Sequence, residues 1–160
     1  MSEGLGLAES AGVRRAGRGR RGATAWLTVV PLLVVTVLIY NLLALFGSPD
    51  GVRAGMEAVA FTLPMTSGVD WTLNWGDLLV IISLFLLFAE LLKSTGSGSL
   101  EIYNHALSMM LFILCLIEFL LWAPCATSTF FIITLMALLD VLAGVIVTIN
   151  SARRDIGVEG

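Results

Sequence analysis

The residues of this sequence that could do chemistry are polar side chains set inside long apolar segments. Such groups are costly to insert into a membrane, and they often mark ion pathways, proton relays or contacts between helices. The sharpest case is Asp140, which stands in the middle of a segment rich in Phe, Ile, Leu and Val. The buried polar candidates are Asp140, Glu118, Glu90, His105, Ser83 and Thr36.

Two interpretations of Asp140 stay open. In the first, Asp140 binds a proton or a cation and works together with Glu118 or Glu90. In the second, it is a protonated acid that hydrogen-bonds to Ser83 or Thr36 and holds the helices together. We favour the second, because the polar groups fall into layers about 10 Å apart along the helices, too far for direct proton transfer without water.

Known catalytic patterns are missing from the sequence. It has no GxSxG or HExxH motif and no phosphate-binding loop, and its two cysteines, Cys115 and Cys125, form no CxxC pair. The single histidine, His105, lacks the further ligands that a metal or a haem needs. A pH-sensitive pair with Glu101 or Glu90 is the functional alternative to a structural role for His105. We therefore expect no enzyme activity, no cofactor and no metal site.

The composition decides the class of protein. Of the 160 residues, 58% are hydrophobic and 13% are charged, and the mean hydropathy is +0.95. A soluble domain usually has about 25% charged residues, so this chain cannot cover itself with a polar surface. It is expected to be an integral membrane protein. Its expected partners are the lipid bilayer and either another membrane protein or copies of the same chain, and not nucleic acid.

Four apolar segments are candidates for membrane-spanning helices, each of which needs about 20 apolar residues. The predicted spans are 25–46, 77–92, 102–122 and 126–149. The transmembrane domain would cover residues 23–153, between a disordered basic tail, residues 1–22, and a short tail, residues 154–160. Pro31 removes a backbone hydrogen bond and is expected to kink the first span.

The one long loop, residues 47–76, predicts a β-hairpin over residues 61–75. Apolar and polar residues alternate on both sides of Thr66-Ser67-Gly68, and a glycine in the turn is typical of hairpins. Residues 52–60 predict a short surface helix before it. The apolar side of the hairpin either anchors the loop at the membrane surface or docks a partner. The candidate docking residues are Trp71, Trp75 and Leu63.

Basic residues set the predicted orientation. With four spans, eight of the nine Lys and Arg residues fall on one side of the membrane, and only Arg53 falls on the other. Cytoplasmic segments carry the excess of basic residues, so both termini are expected in the cytoplasm. The predicted fold is an all-α membrane protein, a four-helix transmembrane bundle with a small extracytoplasmic β-hairpin in the first loop.

Several short stretches between Phe61 and Asp155 carry a resemblance. They are Thr72-Leu-Asn-Trp-Gly-Asp-Leu-Leu, Phe88-Ala-Glu-Leu-Leu-Lys, Tyr103-Asn-His-Ala-Leu-Ser-Met, Ala126-Thr-Ser-Thr-Phe-Phe, Leu139-Asp-Val-Leu-Ala-Gly and Ala152-Arg-Arg-Asp. Through them the chain resembles a group of small, uncharacterised four-helix inner-membrane proteins of proteobacteria. The resemblance implies a location in the bacterial inner membrane. It implies no activity, because none is established for the group.

The expected function follows from the missing catalytic motifs and from the long Trp-rich loop. We expect a non-enzymatic accessory or assembly subunit of a larger membrane complex. The alternative is a small proton- or cation-coupled transporter that acts as an oligomer through the membrane-embedded carboxylate of Asp140.

Overall fold

The computed structural model describes residues 30–93 and 99–156, most of which are helical. The helices are α1 (Val34–Phe46), α2 (Pro49–Glu57), α3 (Trp75–Lys93), α4 (Ser99–Leu121) and α5 (Ser128–Ile156), with a short 3-10 helix at Ala123–Cys125. Two strands, β1 (Val59–Pro64) and β2 (Asp70–Asn74), form a small antiparallel sheet. The predicted basic tail, residues 1–22, and the start of the predicted first span lie outside the described residues.

Three of the described helices are long and apolar enough to cross a membrane. They are α3, the part of α4 from Tyr103 to Leu121 and the part of α5 from Ser128 to Val147. The apolar helix α1 has 13 described residues. A helix of that length rises about 20 Å, less than the roughly 30 Å of a hydrocarbon core. These helices are consistent with a membrane protein.

Helix α5 is central to the packing, because it contacts both α3 and α4 extensively and also contacts α1. Its buried face carries Phe130, Ile133, Ala137 and Asp140, which recur at intervals of three and four residues. This spacing places them on one side of a helix. Gly144 continues the same face, and the ring of His105 from α4 lies against it so closely that a Cβ would collide.

Successive long helices run in opposite directions, so the described chain has two ends. The hairpin end holds the end of α1, the start of α3, the end of α4 and the start of α5, together with α2 and the sheet. The Lys93 end holds the start of α1, the end of α3 and the start of α4. Leu32, just before α1, donates a hydrogen bond to Glu90, and Tyr40, midway along α1, is hydrogen-bonded to Thr127.

The kink predicted at Pro31 stays a prediction, because the residues before Val30 lie outside the described part of the chain. The chain is not helical at Pro31, and α1 begins three residues later, at Val34. The backbone N–H groups of Val34 and Val35 bond to the carbonyls of Pro31 and Leu32 in tight turns. Proline has no N–H to donate, and it is therefore tolerated before the first full turn of a helix.

The hairpin predicted from the alternating pattern is present, with β1 starting at Val59. Its register pairs Phe61 with Leu73 and Leu63 with Trp71. Gly68 lies in the turn with φ of 82°, in the left-handed region that glycine adopts without a steric penalty. The sequence pattern therefore predicted both the pairing and the position of the turn.

Helix α2 begins at Pro49, three residues before the predicted start of the surface helix. The Ser48 hydroxyl accepts a hydrogen bond from the backbone N–H of Gly51 at 3.1 Å. Pro49 occupies the first helical position, where no N–H is needed. These two residues form a helix start signal that the apolar pattern from Val52 onward did not include.

Candidate functional site

Glu90 is the centre of a polar cluster at the Lys93 end. Its carboxylate is fully buried and accepts hydrogen bonds from the Leu32 backbone N–H at 2.9 Å and from the Asn104 amide at 2.7 Å. The Lys93 ammonium forms an ion pair with it at 2.8 Å. Lys93 also donates to the Val30 carbonyl at 3.0 Å. The Glu90 cluster therefore joins α1, α3 and α4.

The sequence explains why this cluster forms at the start of α1. The first N–H groups of a helix have no partner within the helix, and a negative charge nearby interacts favourably with the helix dipole. Glu90 supplies that charge from α3, and Lys93, three residues later, lies on the same side of α3. Both carboxylate oxygens of Glu90 accept hydrogen bonds from neighbouring segments. We therefore assign Glu90 a structural role.

Asp140 belongs to a second cluster, between α4 and α5. Its carboxyl group is 6% exposed and lies beside the Ser108 hydroxyl, while Glu90, Lys93 and His105 act on it electrostatically. Glu90, Lys93 and His105 therefore all lie within electrostatic range of Asp140.

Two buried atoms of the Asp140 cluster have no hydrogen-bond partner among the described residues. They are Ser108 Oγ and His105 Nδ1. Ser108 lies beside Asp140 without a well-aligned hydrogen bond, although its side chain is 2% exposed. A buried polar group left unpaired costs about 1–3 kcal/mol, and it often marks the position of a water or a ligand.

The predicted hydrogen bonds from Asp140 to Ser83 or Thr36 are wrong. The Ser83 hydroxyl donates to the Leu79 carbonyl at 2.7 Å, and the Thr36 hydroxyl donates to the Leu33 carbonyl at 3.0 Å. A hydroxyl on a helix reaches the carbonyl one turn earlier without needing a neighbouring helix. Both side chains are buried, but neither links two helices by a hydrogen bond.

A pair between His105 and Glu90 does not form in the described part of the chain. The Glu90 oxygens accept from Lys93, Asn104 and a backbone N–H instead. His105 lies against Gly144, with its Nδ1 atom unpaired. The side chain of Glu101, the other predicted partner, lies outside the described residues. No three His, Cys, Asp or Glu side chains within 30–93 and 99–156 are grouped as metal ligands.

Tyr40 attaches the middle of α1 to the chain segment that precedes α5. The side chain is fully buried, and its hydroxyl donates to the Pro124 carbonyl at 3.1 Å. The Thr127 hydroxyl lies 2.5 Å from the same oxygen. The ring packs against Phe130 with 4.7 Å between the centroids. Tyr40 therefore connects α1 to the start of α5 and to the turn before it.

Glu118 is separate from Asp140 and forms its own contact at the hairpin end. Both of its carboxylate oxygens accept from the Asn41 amide, at 2.9 and 3.1 Å. Cys125 lies beside this pair, with its sulfur 3.9 Å from the Asn41 side-chain oxygen. Burial, and to a smaller extent Glu118, raises the pKa of the Cys125 thiol to about 12. A thiol with such a pKa is unreactive at neutral pH.

The predicted docking residues divide between two places. Leu63 and Trp71 lie opposite each other in the hairpin register, and they are 45% and 50% exposed. Trp75 is the first residue of α3 and lines an apolar groove of about 750 Å³ between α1 and α3. We call the apolar side of the sheet, Phe61, Leu63, Trp71 and Leu73, the hairpin face. Trp75 does not belong to it.

Three side chains of the Glu90 and Asp140 clusters, Asn104, Ser108 and Lys93, were not among the predicted site residues. Ser108 lies four residues after Asn104 and three after His105, and this spacing places it on the same side of α4. The spacing could have identified Ser108 from the sequence. Lys93 follows Glu90 by three residues on α3. Its charge served only to predict the orientation of the chain.

The comparisons with known proteins give no family for this chain. It matches no protein-family model, no curated protein and no solved structure at a significant level.

Proposed function

We propose that the protein is a four-helix transmembrane bundle of the bacterial inner membrane, with both termini cytoplasmic, that acts as a non-enzymatic accessory or assembly subunit of a larger membrane complex. The bundle is supported by α1, which is bonded to the other helices near Leu32 and at Tyr40. The sequence is also apolar from Ala25 up to α1. The location is supported by the basic residues and by the resemblance to proteobacterial inner-membrane proteins.

The uncovered hairpin face is the observation that carries this proposal. Successive strand side chains point to opposite sides, so Phe61, Leu63, Trp71 and Leu73 lie together and the polar Thr72 lies on the other side. Leu73 is 3% exposed, but the three others are 42–50% exposed. Contiguous exposed apolar patches mark interaction sites.

The charge around the hairpin face favours a protein partner over the lipid surface. Residues 47–77 carry four acidic side chains and one basic side chain, Arg53. Membrane surfaces rich in anionic lipid attract basic segments, and they repel an acidic one. The expected occupant is another membrane protein with an apolar surface flanked by basic residues.

Substitutions on the hairpin face should release this partner. A central aromatic residue of an interface contributes about 2 kcal/mol or more, so we expect Trp71→Ser to weaken binding about 30-fold. The measurement is crosslinking at endogenous expression, followed by mild-detergent purification and quantitative mass spectrometry. Thr72→Ala, on the opposite side of the same strand, should leave recovery unchanged. Equal recovery with Trp71→Ser and the wild type would overturn the proposal.

The Asp140 cluster favours a second candidate function, a proton- or cation-coupled transporter that works as an oligomer. The specific observation is the unpaired Ser108 Oγ and His105 Nδ1 beside a buried carboxyl group. Water or a cation at these atoms would lie beside the Asp140 carboxyl group. This candidate depends on a charge at Asp140, whereas the accessory role does not.

Flux measurements separate the two candidates. If the protein is an accessory subunit, liposomes that contain the wild-type protein or Asp140→Asn should hold a proton gradient for as long as protein-free liposomes do. If the wild-type protein carries a proton flux that Asp140→Asn abolishes and the exposed Asp70→Asn preserves, the protein is a transporter and not an accessory subunit.

A further inference from the structure

A polar cavity of about 440 Å³ opens at the hairpin end, apart from the Asp140 cluster and the hairpin face. It lies where α2 and the end of β2 meet the starts of α3 and α5. Its polar lining includes Arg53, Glu57, Asn74, Asp77, Ser128 and Thr129. Cavities of this size hold small molecules or their headgroups.

Opposite charges line this cavity without touching. Arg53 and Glu57 stand four residues apart on α2, a spacing that normally allows an ion pair. Within the described residues Arg53 forms no ion pair, and its guanidinium makes one long hydrogen bond, 3.5 Å, to the Ala126 carbonyl. Asp77 accepts the backbone N–H of Asn74 at 3.1 Å. The cavity therefore separates one cation from two carboxylates.

This charge pattern selects a zwitterion. A simple anion would be repelled by Glu57 and Asp77, and a simple cation would be repelled by Arg53. A molecule with both charges satisfies the two sides together. Arginine with neighbouring hydroxyls, here Ser128 and Thr129, suits the several acceptor oxygens of a phosphate. An ammonium group donates hydrogen bonds to carboxylates.

An apolar groove adjoins the polar cavity. The groove between α1 and α3, about 750 Å³ in volume, is lined by side chains such as Leu43 and Ile82 and has an almost entirely apolar wall. Met56 lines both the groove and the cavity. Gly55 also faces the groove, and a Cβ added there would meet nothing within 4 Å. A polar cavity next to an open apolar groove matches a headgroup attached to an acyl chain.

We propose that this composite site binds a phospholipid with an ethanolamine headgroup. The phosphate lies against Arg53 and the hydroxyls of α5, the ammonium group lies between Glu57 and Asp77, and one acyl chain lies in the groove. This binding is independent of the proposed accessory role, because the hairpin face takes no part in it.

Native mass spectrometry of the full chain in mild detergent tests the headgroup. Titrated phosphatidylethanolamine should bind at least tenfold more tightly than phosphatidylglycerol, which has no ammonium, or phosphatidylcholine, whose trimethylammonium donates no hydrogen bond. Arg53→Gln and Glu57→Gln should each abolish this preference. Asp70→Asn makes the same charge change as Glu57→Gln outside the cavity and should preserve it. Equal affinity for the three lipids, or a preference for phosphatidylethanolamine that remains in Arg53→Gln and Glu57→Gln, would contradict the proposed headgroup site.

Free phosphoethanolamine and a groove variant test the acyl chain. The proposal expects phosphoethanolamine to bind at least tenfold more weakly than the lipid. Gly55→Leu adds a side chain at the groove from a Cβ position that has nothing within 4 Å, and it should weaken lipid binding about tenfold while leaving phosphoethanolamine binding unchanged. If the wild type binds the two ligands equally, or if Gly55→Leu binds the lipid as tightly as the wild type does, the ligand is not a lipid. The ligand would then be a soluble zwitterion.

Discussion

Glu90→Ala should lower the free energy of unfolding by about 3–5 kcal/mol, the usual range for breaking a buried ion pair by removing one partner. The substitution removes the carboxylate that pairs with Lys93 and accepts from the Asn104 amide and the Leu32 N–H, while Lys93 keeps its bond to the Val30 carbonyl. Glu90→Gln keeps the shape and should fall between wild type and alanine. The measurement is equilibrium unfolding in mixed micelles.

The control for Glu90→Ala is Asp70→Ala. Asp70 is an exposed acid on β2, and exposed substitutions usually change stability by less than about 0.5 kcal/mol. A Glu90→Ala protein as stable as the control would show that the Glu90 cluster does not hold α1, α3 and α4 together.

Tyr40→Ala should cost about 3–5 kcal/mol, the usual range for removing a large buried aromatic side chain. The loss combines the packing on Phe130 with the hydrogen bonds to Pro124 and Thr127. Tyr40→Phe removes only the hydrogen bonds and should cost about 1–3 kcal/mol. Both values are measured by the same unfolding assay.

Leu45→Ala is the matched control for Tyr40→Ala on the same helix. Leu45 is 66% exposed and should lose little packing within the protein. If Leu45→Ala and Tyr40→Ala destabilise equally, α1 is not docked through Tyr40 as the structure describes.

Glu90→Ala and Tyr40→Ala both test how α1 is attached to the other helices. Apolar grooves run beside α1, one toward α3 and one toward α4. Few side chains therefore fill the space on either side of this helix. The hydrogen bonds of Leu32, just before α1, and of Tyr40, midway along it, are therefore important for keeping α1 against the other helices.

Periodic features were predictable from the sequence. The hairpin was predictable because apolar and polar residues alternate on both sides of Gly68. In a strand this alternation fixes which side chains share a face of the sheet. Burial of Asp140 follows from a period of three to four along α5, because Ile133 and Ala137 precede it on the same side. Both features depend on neighbours close in sequence.

Partners across helices were not predictable in the same way. The bond from the Leu32 N–H to Glu90 depends on where α1 starts, and the spacing of apolar residues in the sequence does not give that start. Ser83 was expected to bond to Asp140, but its hydroxyl turns to its own helix. Sequence spacing gives the face on which a residue lies, while the rotation of the facing helix decides which residue it meets.

Docking of a second membrane protein on the hairpin face is best tested by the mass of the complex extracted at endogenous expression. We expect a heteromeric assembly of fixed stoichiometry, with crosslinks from residues 61–73 to an apolar surface of the partner that is flanked by basic residues. A monomer or a homo-oligomer without another protein would contradict it.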